Sequence, residues 1–181
     1  RIGIGKLRMV TLDGDLLEPS GAMIGGFRRK IGKFSEKEVN EEVKKLAEEI
    51  LSISPKIDKK EAYSLSYDAI TYSKYLANKY ELTTPPLFHN FLVNTNIKEK
   101  GLCYHFARDL LEYLQTKNYK TFDLKRVVAD RKGYFEHNAV VLTAKGVNLE
   151  NSIVLDAWRN SGRLYWSKIK NDKDYVWELK Q

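Results

Sequence analysis

The sequence predicts an α+β fold, with N-terminal helices packed on an antiparallel sheet and a short N-terminal β-hairpin appendage. Three observations predict it. Apolar residues recur at helical spacing through most of residues 36–117. From residue 119 onward the pattern changes to short apolar runs separated by turn residues. Helices thus precede strands instead of alternating with them, and that order points to an antiparallel meander. Residues 1–34 stand apart, because they hold seven of the chain's eleven glycines.

In that leader, Arg8 to Leu12 reads as a strand, Asp13-Gly14 as a hairpin turn and Asp15 to Glu18 as the returning strand. Pro19-Ser20-Gly21 breaks the run, and Ala22 to Gly26 is a short third segment. Ser35 then reads as an N-cap, with Glu38 in position to close a capping box. Val39, Val43, Leu46, Ala47 and Ile50 form the apolar stripe of a helix over 36–53, and Pro55 stops it. Asp58 caps a second helix, with Glu61 at the box position and a packing face of Ala62, Leu65, Ala69, Ile70, Tyr72, Tyr75 and Leu76, ending near Lys79. Pro85-Pro86 is a rigid joint. Leu87 to Val93 is a short apolar segment of one or two helical turns. Gly101-Leu102-Cys103 opens a third long helix to about Lys117, with Phe106, Leu110, Leu111 and Leu114 inward.

Strands follow over Phe122–Ala129, Phe135–Ala144, Ile153–Ala157 and Arg163–Ser167, with a possible last one in Asp174–Leu179. Arg131-Lys132-Gly133 and Gly146 to Glu150 are the turns. Two domains result: a glycine-rich β segment over 1–34 and a main domain over 35–181.

Composition narrows the chemistry. With 43% apolar and 30% charged residues, the chain should be a soluble globular protein with a real core. It has no run near the roughly 18 uninterrupted apolar residues that a spanning helix requires. The one Cys excludes an internal disulfide framework and a multi-cysteine zinc site, and three widely spaced His supply no metal cluster. No metal and no cofactor is therefore expected. The sequence begins with Arg, so no compartment is read from the lack of a signal peptide.

The net charge is +7, of which residues 1–34 contribute +4 (seven basic, three acidic) and the other 147 residues +3 (24 basic, 21 acidic). In the main body basic residues are interleaved with acids, as in Glu41-Glu42-Val43-Lys44-Lys45, which reads as a solvated helix face. Nucleic acid is not the expected partner.

The segment Val10-Thr11-Leu12-Asp13-Gly14-Asp15-Leu16-Leu17-Glu18-Pro19-Ser20-Gly21-Ala22-Met23-Ile24-Gly25-Gly26 resembles the C-terminal edge of the hinge domain of structural maintenance of chromosomes proteins. The resemblance covers residues 3–28. It implies a dimerising hinge joined to coiled-coil arms, yet the rest of such a hinge is absent and the next helix stops near Pro55 instead of running on as heptads. The segment therefore reads as a detached or fused fragment.

Three residues in the main domain point to chemistry. Cys103 sits at a predicted helix start, where free N–H groups and the helix dipole favour the thiolate. The alternative is a buried Cys serving as a small hydrophobe. His137, in Phe135-Glu136-His137-Asn138-Ala139-Val140-Val141-Leu142, lies where a strand enters the core and can act as general base; the alternative is a hydrogen-bonded structural His. Asp156 closes the apolar run Ile153-Val154-Leu155 and needs a partner once buried: His137, or an arginine such as Arg159. His105 is two residues from Cys103 and does not share its helix face, so it is not the expected base. His89 reads as structural. Of the aromatic group Tyr134, Phe135, Trp158, Tyr165, Trp166 and Trp177, most reads as packing, and Trp158 as a shield over Asp156 or the lining of an acyl cleft.

Gly101-Leu102-Cys103-Tyr104, Glu136-His137-Asn138-Ala139 and Leu155-Asp156-Ala157-Trp158, in that order, resemble the transglutaminase-like branch of papain-like cysteine enzymes across residues 58–170. The resemblance implies a papain-like core in which Cys103 is the nucleophile, His137 the base and acid, and Asp156 the orienter. It also implies an oxyanion held by the Cys103 N–H and an upstream group, for which Asn90 and Asn94 are the nearest polar candidates. Tyr104 stands where many members carry Trp. The stretch is similar as well to small bacterial envelope proteins, often lipoproteins, which implies a cell-envelope or periplasmic setting; a native hinge-like segment would instead imply the cytoplasm.

Three functions compete. The first is a cysteine-dependent hydrolase or acyltransferase acting on a peptide, protein or cell-wall amide. The second is a non-catalytic binding module on the same fold. The third is a chromosome-organising hinge fragment that binds DNA through Arg28, Arg29, Lys30 and Lys33.

Overall fold

The computed structural model describes residues 9–10, 16–17, 23–24, 36–133 and 136–180. Its contacts divide the chain into two units, Arg1–Ser35 and Glu36–Gln181. In the first, β1 (Met9–Val10), β2 (Leu16–Leu17) and β3 (Met23–Ile24) form a three-stranded antiparallel sheet in that order, with Met9 opposite Leu17 and Leu16 opposite Ile24. The Asp13-Gly14 turn, the Pro19 break, the basic residues at 28–33 and the Ser35 cap lie outside the described residues.

The second unit is α+β. Helices α1 (Glu36–Leu51), α2 (Lys59–Lys79), α3 (Pro86–Asn94) and α4 (Cys103–Gln115) precede strands β4 (Asp123–Ala129), β5 (His137–Thr143), β6 (Ile153–Asn160), β7 (Arg163–Lys168) and β8 (Glu178–Leu179). The sheet order is β7-β6-β5-β4-β8, with every neighbouring pair antiparallel. The first four strands are the expected meander. The fifth is only two residues long and returns to the outer edge of β4, with Val127 opposite Leu179.

α1 buries Val43, Leu46, Ala47 and Ile50 against α2. The buried face of α2 differs from the expected one. Tyr75 is about half exposed and stacks on Tyr72, which in turn stacks on Tyr113 of α4 at 3.8 Å between centroids. Ser66 and Ser73 take the buried positions instead. Each hydroxyl donates to the carbonyl four residues back, at 2.7 Å, so the polar group is satisfied within the helix and the small side chain admits close neighbours. Gly162, with φ +90, uses that space: a Cβ there would meet Ala77 Cβ. Glu61 also departs from expectation. Asp58 caps α2 by accepting from Glu61 N, but the Glu61 carboxylate accepts from Lys120 N, Thr121 N and Thr121 Oγ1 instead of closing a box. It thereby ties the start of α2 to the entry of the sheet.

The sheet is covered on both faces. Val140, Leu142, Ile153, Leu155 and Ala157 face the helices, packing with Leu65, Phe106, Leu110 and Leu114. Val127, Ala129, Ala139, Val141 and Val154 face the other way, under Ile169 and Trp177 of the C-terminal segment. β5 is therefore buried on both sides, which explains why its sequence reads as a continuous apolar run. Among the described residues no helix is long and apolar enough to cross a membrane.

Candidate active site

Cys103 is the first residue of α4 and the first of a stripe that continues through Phe106, Ala107, Leu110 and Leu114, so the face that anchors the helix also turns the thiol inward. Helix geometry leaves the N–H groups of the first turn without intrahelical acceptors. His105 deals with two of the preceding ones: its Nδ1 accepts from Gly101 N and Leu102 N, each at 3.2 Å. Burial and the nearby Arg108 guanidinium push this imidazole toward its neutral form, the form that can accept. His105 is thus a cap of the loop that leads into α4.

His89 holds the same loop from the other side. It is fully buried, its Nδ1 accepts from Thr83 N at 3.1 Å, and its Nε2 donates to Lys100 O at 2.8 Å. Gly101 passes beside the ring with φ +123, leaving no room for a side chain. Of the two asparagines considered for the oxyanion, Asn94 is exposed at the end of α3. Asn90 is half-buried, and its Oδ1 has no hydrogen-bond partner among the described residues.

His137 is the first residue of β5, and its alternation places it with Ala139 and Val141 on the sheet face that carries Val154 and Asp156. The structure brings the pair together: His137 Nε2 donates to Asp156 Oδ2 at 2.6 Å, with the two residues 3% and 1% exposed. Because Nε2 is engaged, the nitrogen left for the thiol is Nδ1. The Cys103 Sγ donates to the carbonyl of Glu136, the residue before His137, at 3.7 Å, which sets the start of α4 against the start of β5. Burial alone would depress the imidazole; the hydrogen bond to Asp156 and the interaction with Cys103 outweigh it and raise His137 to about 9.

Asp156 is fully paired. Burial works against its charge, but the bond from His137 and the Arg159 guanidinium hold the carboxyl below its usual range. Oδ1 accepts from Trp158 N (3.0 Å) and Arg159 N (3.1 Å), and Oδ2 accepts additionally from Arg159 Nε (3.0 Å). Those two amides are free because β6 loses register with β7 beyond Asp156. The two partners considered from sequence, His137 and Arg159, are therefore both present.

An aromatic wall encloses the imidazole. Tyr175, Trp158 and Trp177 have ring centroids 4.4, 5.1 and 5.5 Å from it. Trp158 is buried, and its indole Nε1 has no hydrogen-bond partner among the described residues. Tyr134 and Phe135 lie outside the described residues. Sequence reasoning missed Tyr175 and Asp172, which belong to an irregular segment without periodicity. Glu136, beside the site, is held at about 2 by hydrogen bonds from Lys132 N, Lys180 and Asn138.

Comparison with known proteins gives a partial likeness. Over 54 residues, 30% of this chain, the sequence is 44% identical to the chromosome partition protein Smc of Methanocaldococcus jannaschii, and the match covers 5% of that protein. The chain thus spans a small fraction of the length of the curated relative it matches. No protein-family model and no solved structure matches the chain.

Proposed function

We propose that residues 35–181 form a cysteine-dependent hydrolase or acyltransferase with a papain-like, transglutaminase-like core, acting on an amide or acyl bond through Cys103, His137 and Asp156. The observation that carries the reading is the buried 2.6 Å contact between His137 and Asp156, placed where the thiol at the start of α4 meets the start of β5. His137 takes the thiol proton, and the sulfur adds to the substrate carbonyl, forming a C–S bond and an oxyanion. The Cys103 N–H, in the first turn of α4, is the donor for that oxyanion. As the intermediate collapses, the C–N bond breaks and His137 passes its proton to the leaving amine. Water or an amine then attacks the thioester, His137 accepts its proton, and the C–S bond breaks to release Cys103. The substrate class this chemistry suits is a peptide, protein or cell-wall amide.

The test is alkylation of Cys103 with iodoacetamide at mildly acidic pH, with His137→Ala and Asp156→Ala alongside. The reading expects labelling faster than that of a free thiol, lost in both variants. Ordinary labelling that ignores both substitutions overturns it and favours the non-catalytic binding module.

The partial match to Smc extends over 54 residues, more than residues 1–34 hold, and favours a second reading in which the N-terminal hinge-like segment binds DNA. That reading expects salt-dependent DNA binding that disappears when residues 1–34 are deleted. Binding that survives the deletion removes it.

A further inference from the structure

We infer that Arg159 and Asp172 are positioning residues for the His137–Asp156 pair, supplied by the end of β6 and by the segment that crosses beneath it. The inference rests on the triad reading proposed above. Arg159 Nε donates to Asp156 Oδ2, while its two terminal nitrogens grip Asp172 in a bidentate pair, Nη2 to Oδ2 at 2.7 Å and Nη1 to Oδ1 at 3.1 Å. Nη1 also reaches Asp174 Oδ2 at 3.3 Å. The guanidinium is clamped between aromatic faces, with its Cζ 3.9 Å from the Tyr165 centroid and 4.6 Å from that of Tyr175. The Asp172 side chain is fully buried and accepts a further bond from Trp177 Nε1 at 2.8 Å.

This chain of contacts is more than a salt bridge that happens to adjoin a site. A lone Arg beside Asp156 would compete with His137 for the same oxygen and neutralise the charge that holds the imidazolium. Asp172 returns that negative charge one step away and fixes the plane of the guanidinium, so Arg159 orients Asp156 without cancelling it. The groups facing His137 are Cys103 from α4, Asp156 and Arg159 from β6, and Tyr175 with Asp172 and Asp174 behind it from the crossing segment. Glu136 precedes it on its own strand. Two changes to this set therefore act in opposite senses on the imidazole. Removing the Asp172 charge leaves Arg159 unbalanced and disfavours the imidazolium; removing the Arg159 charge favours it.

The test is an NMR titration of His137 in the full chain, with Cys103 alkylation measured in parallel. Asp172→Asn keeps an acceptor for Trp177 and should lower the His137 midpoint by about one pH unit. Asp174→Asn, an exposed position that tolerates change, should lower it by less. Arg159→Gln should raise it, and Arg159→Lys should leave it near the native value. Shifts of the same sign for Asp172→Asn and Arg159→Gln, or no shift in Asp172→Asn and Asp174→Asn, overturn the inference. Opposite shifts accompanied by ordinary Cys103 labelling uphold the positioning role and sink the cysteine-enzyme reading instead.

Discussion

Gly101 runs so close to the buried ring of His89 that a Cβ at residue 101 would lie 2.1 Å from His89 Nε2. The ring and the glycine together fix the loop that delivers Cys103 to the start of α4. With φ at +123, Gly101→Ala also carries backbone strain. The substitution should destabilise the protein by about 1–3 kcal/mol in chemical denaturation and should slow Cys103 alkylation, since the loop must shift.

Asp156→Asn keeps the size of the side chain and removes its charge. On the proposed triad, thiol-dependent turnover should fall by about 10²- to 10⁴-fold, because the imidazolium loses the carboxylate that stabilises and aims it. Unfolding measurements should show a loss of about 3 kcal/mol, with Arg159 and His137 left facing a neutral amide in a buried site.

Stability should depend on alkaline pH through His137. Its folded value, about 9, lies above the ordinary imidazole value of 6.5. The stabilisation it provides is fully present below 6.5 and is lost as pH rises through 9, by up to about 3 kcal/mol. Denaturation midpoints recorded from pH 6 to 10 should decline across that window, and His137→Ala should flatten the decline.

Trp158 separates two roles that its position allows. Its Nε1 has no protein partner among the described residues, so Trp158→Phe, which keeps an aromatic body, should cost less than about 1.5 kcal/mol. Trp158→Ala opens a void beside His137 and should cost about 3–5 kcal/mol. Equal costs for the two would mean that the indole nitrogen is engaged.

Glu61→Ala removes the acceptor for Lys120 N, Thr121 N and Thr121 Oγ1. The loss should be about 1–2 kcal/mol, read from urea denaturation, because the half-buried Thr121 amide and hydroxyl and the exposed Lys120 amide would lose a charged partner.

Much of this architecture was legible because periodicity reports burial. The stripe from Cys103 to Leu114 and the apolar runs of β5 and β6 mark both the elements and their inward faces. Cys103, His137 and Asp156 stood out because each sits where such a pattern begins or ends. Other contributions carry no periodic mark. Ser66 and Ser73 occupy core positions through hydrogen bonds to their own helix, while Tyr75 was expected there and instead stacks outside. Asp172 and Tyr175 reach the site along a path set by long-range packing. Glu61 shows how one residue type at one spacing admits two partners, a helix cap or a distant loop, that only the tertiary fold distinguishes.

The course of β8 has a consequence for the order in which the molecule is built. Cys103, His137 and Asp156 are all present in a growing chain before Asp172 and Trp177 have been added. A partly synthesised chain can therefore bring thiol and imidazole together while the guanidinium and the aromatic wall behind them are still unanchored. Asp172 and Trp177 complete the surroundings of His137 only once the segment before β8 has been added and β8 has paired with β4, so these late residues act on a pair whose members already stand in the chain.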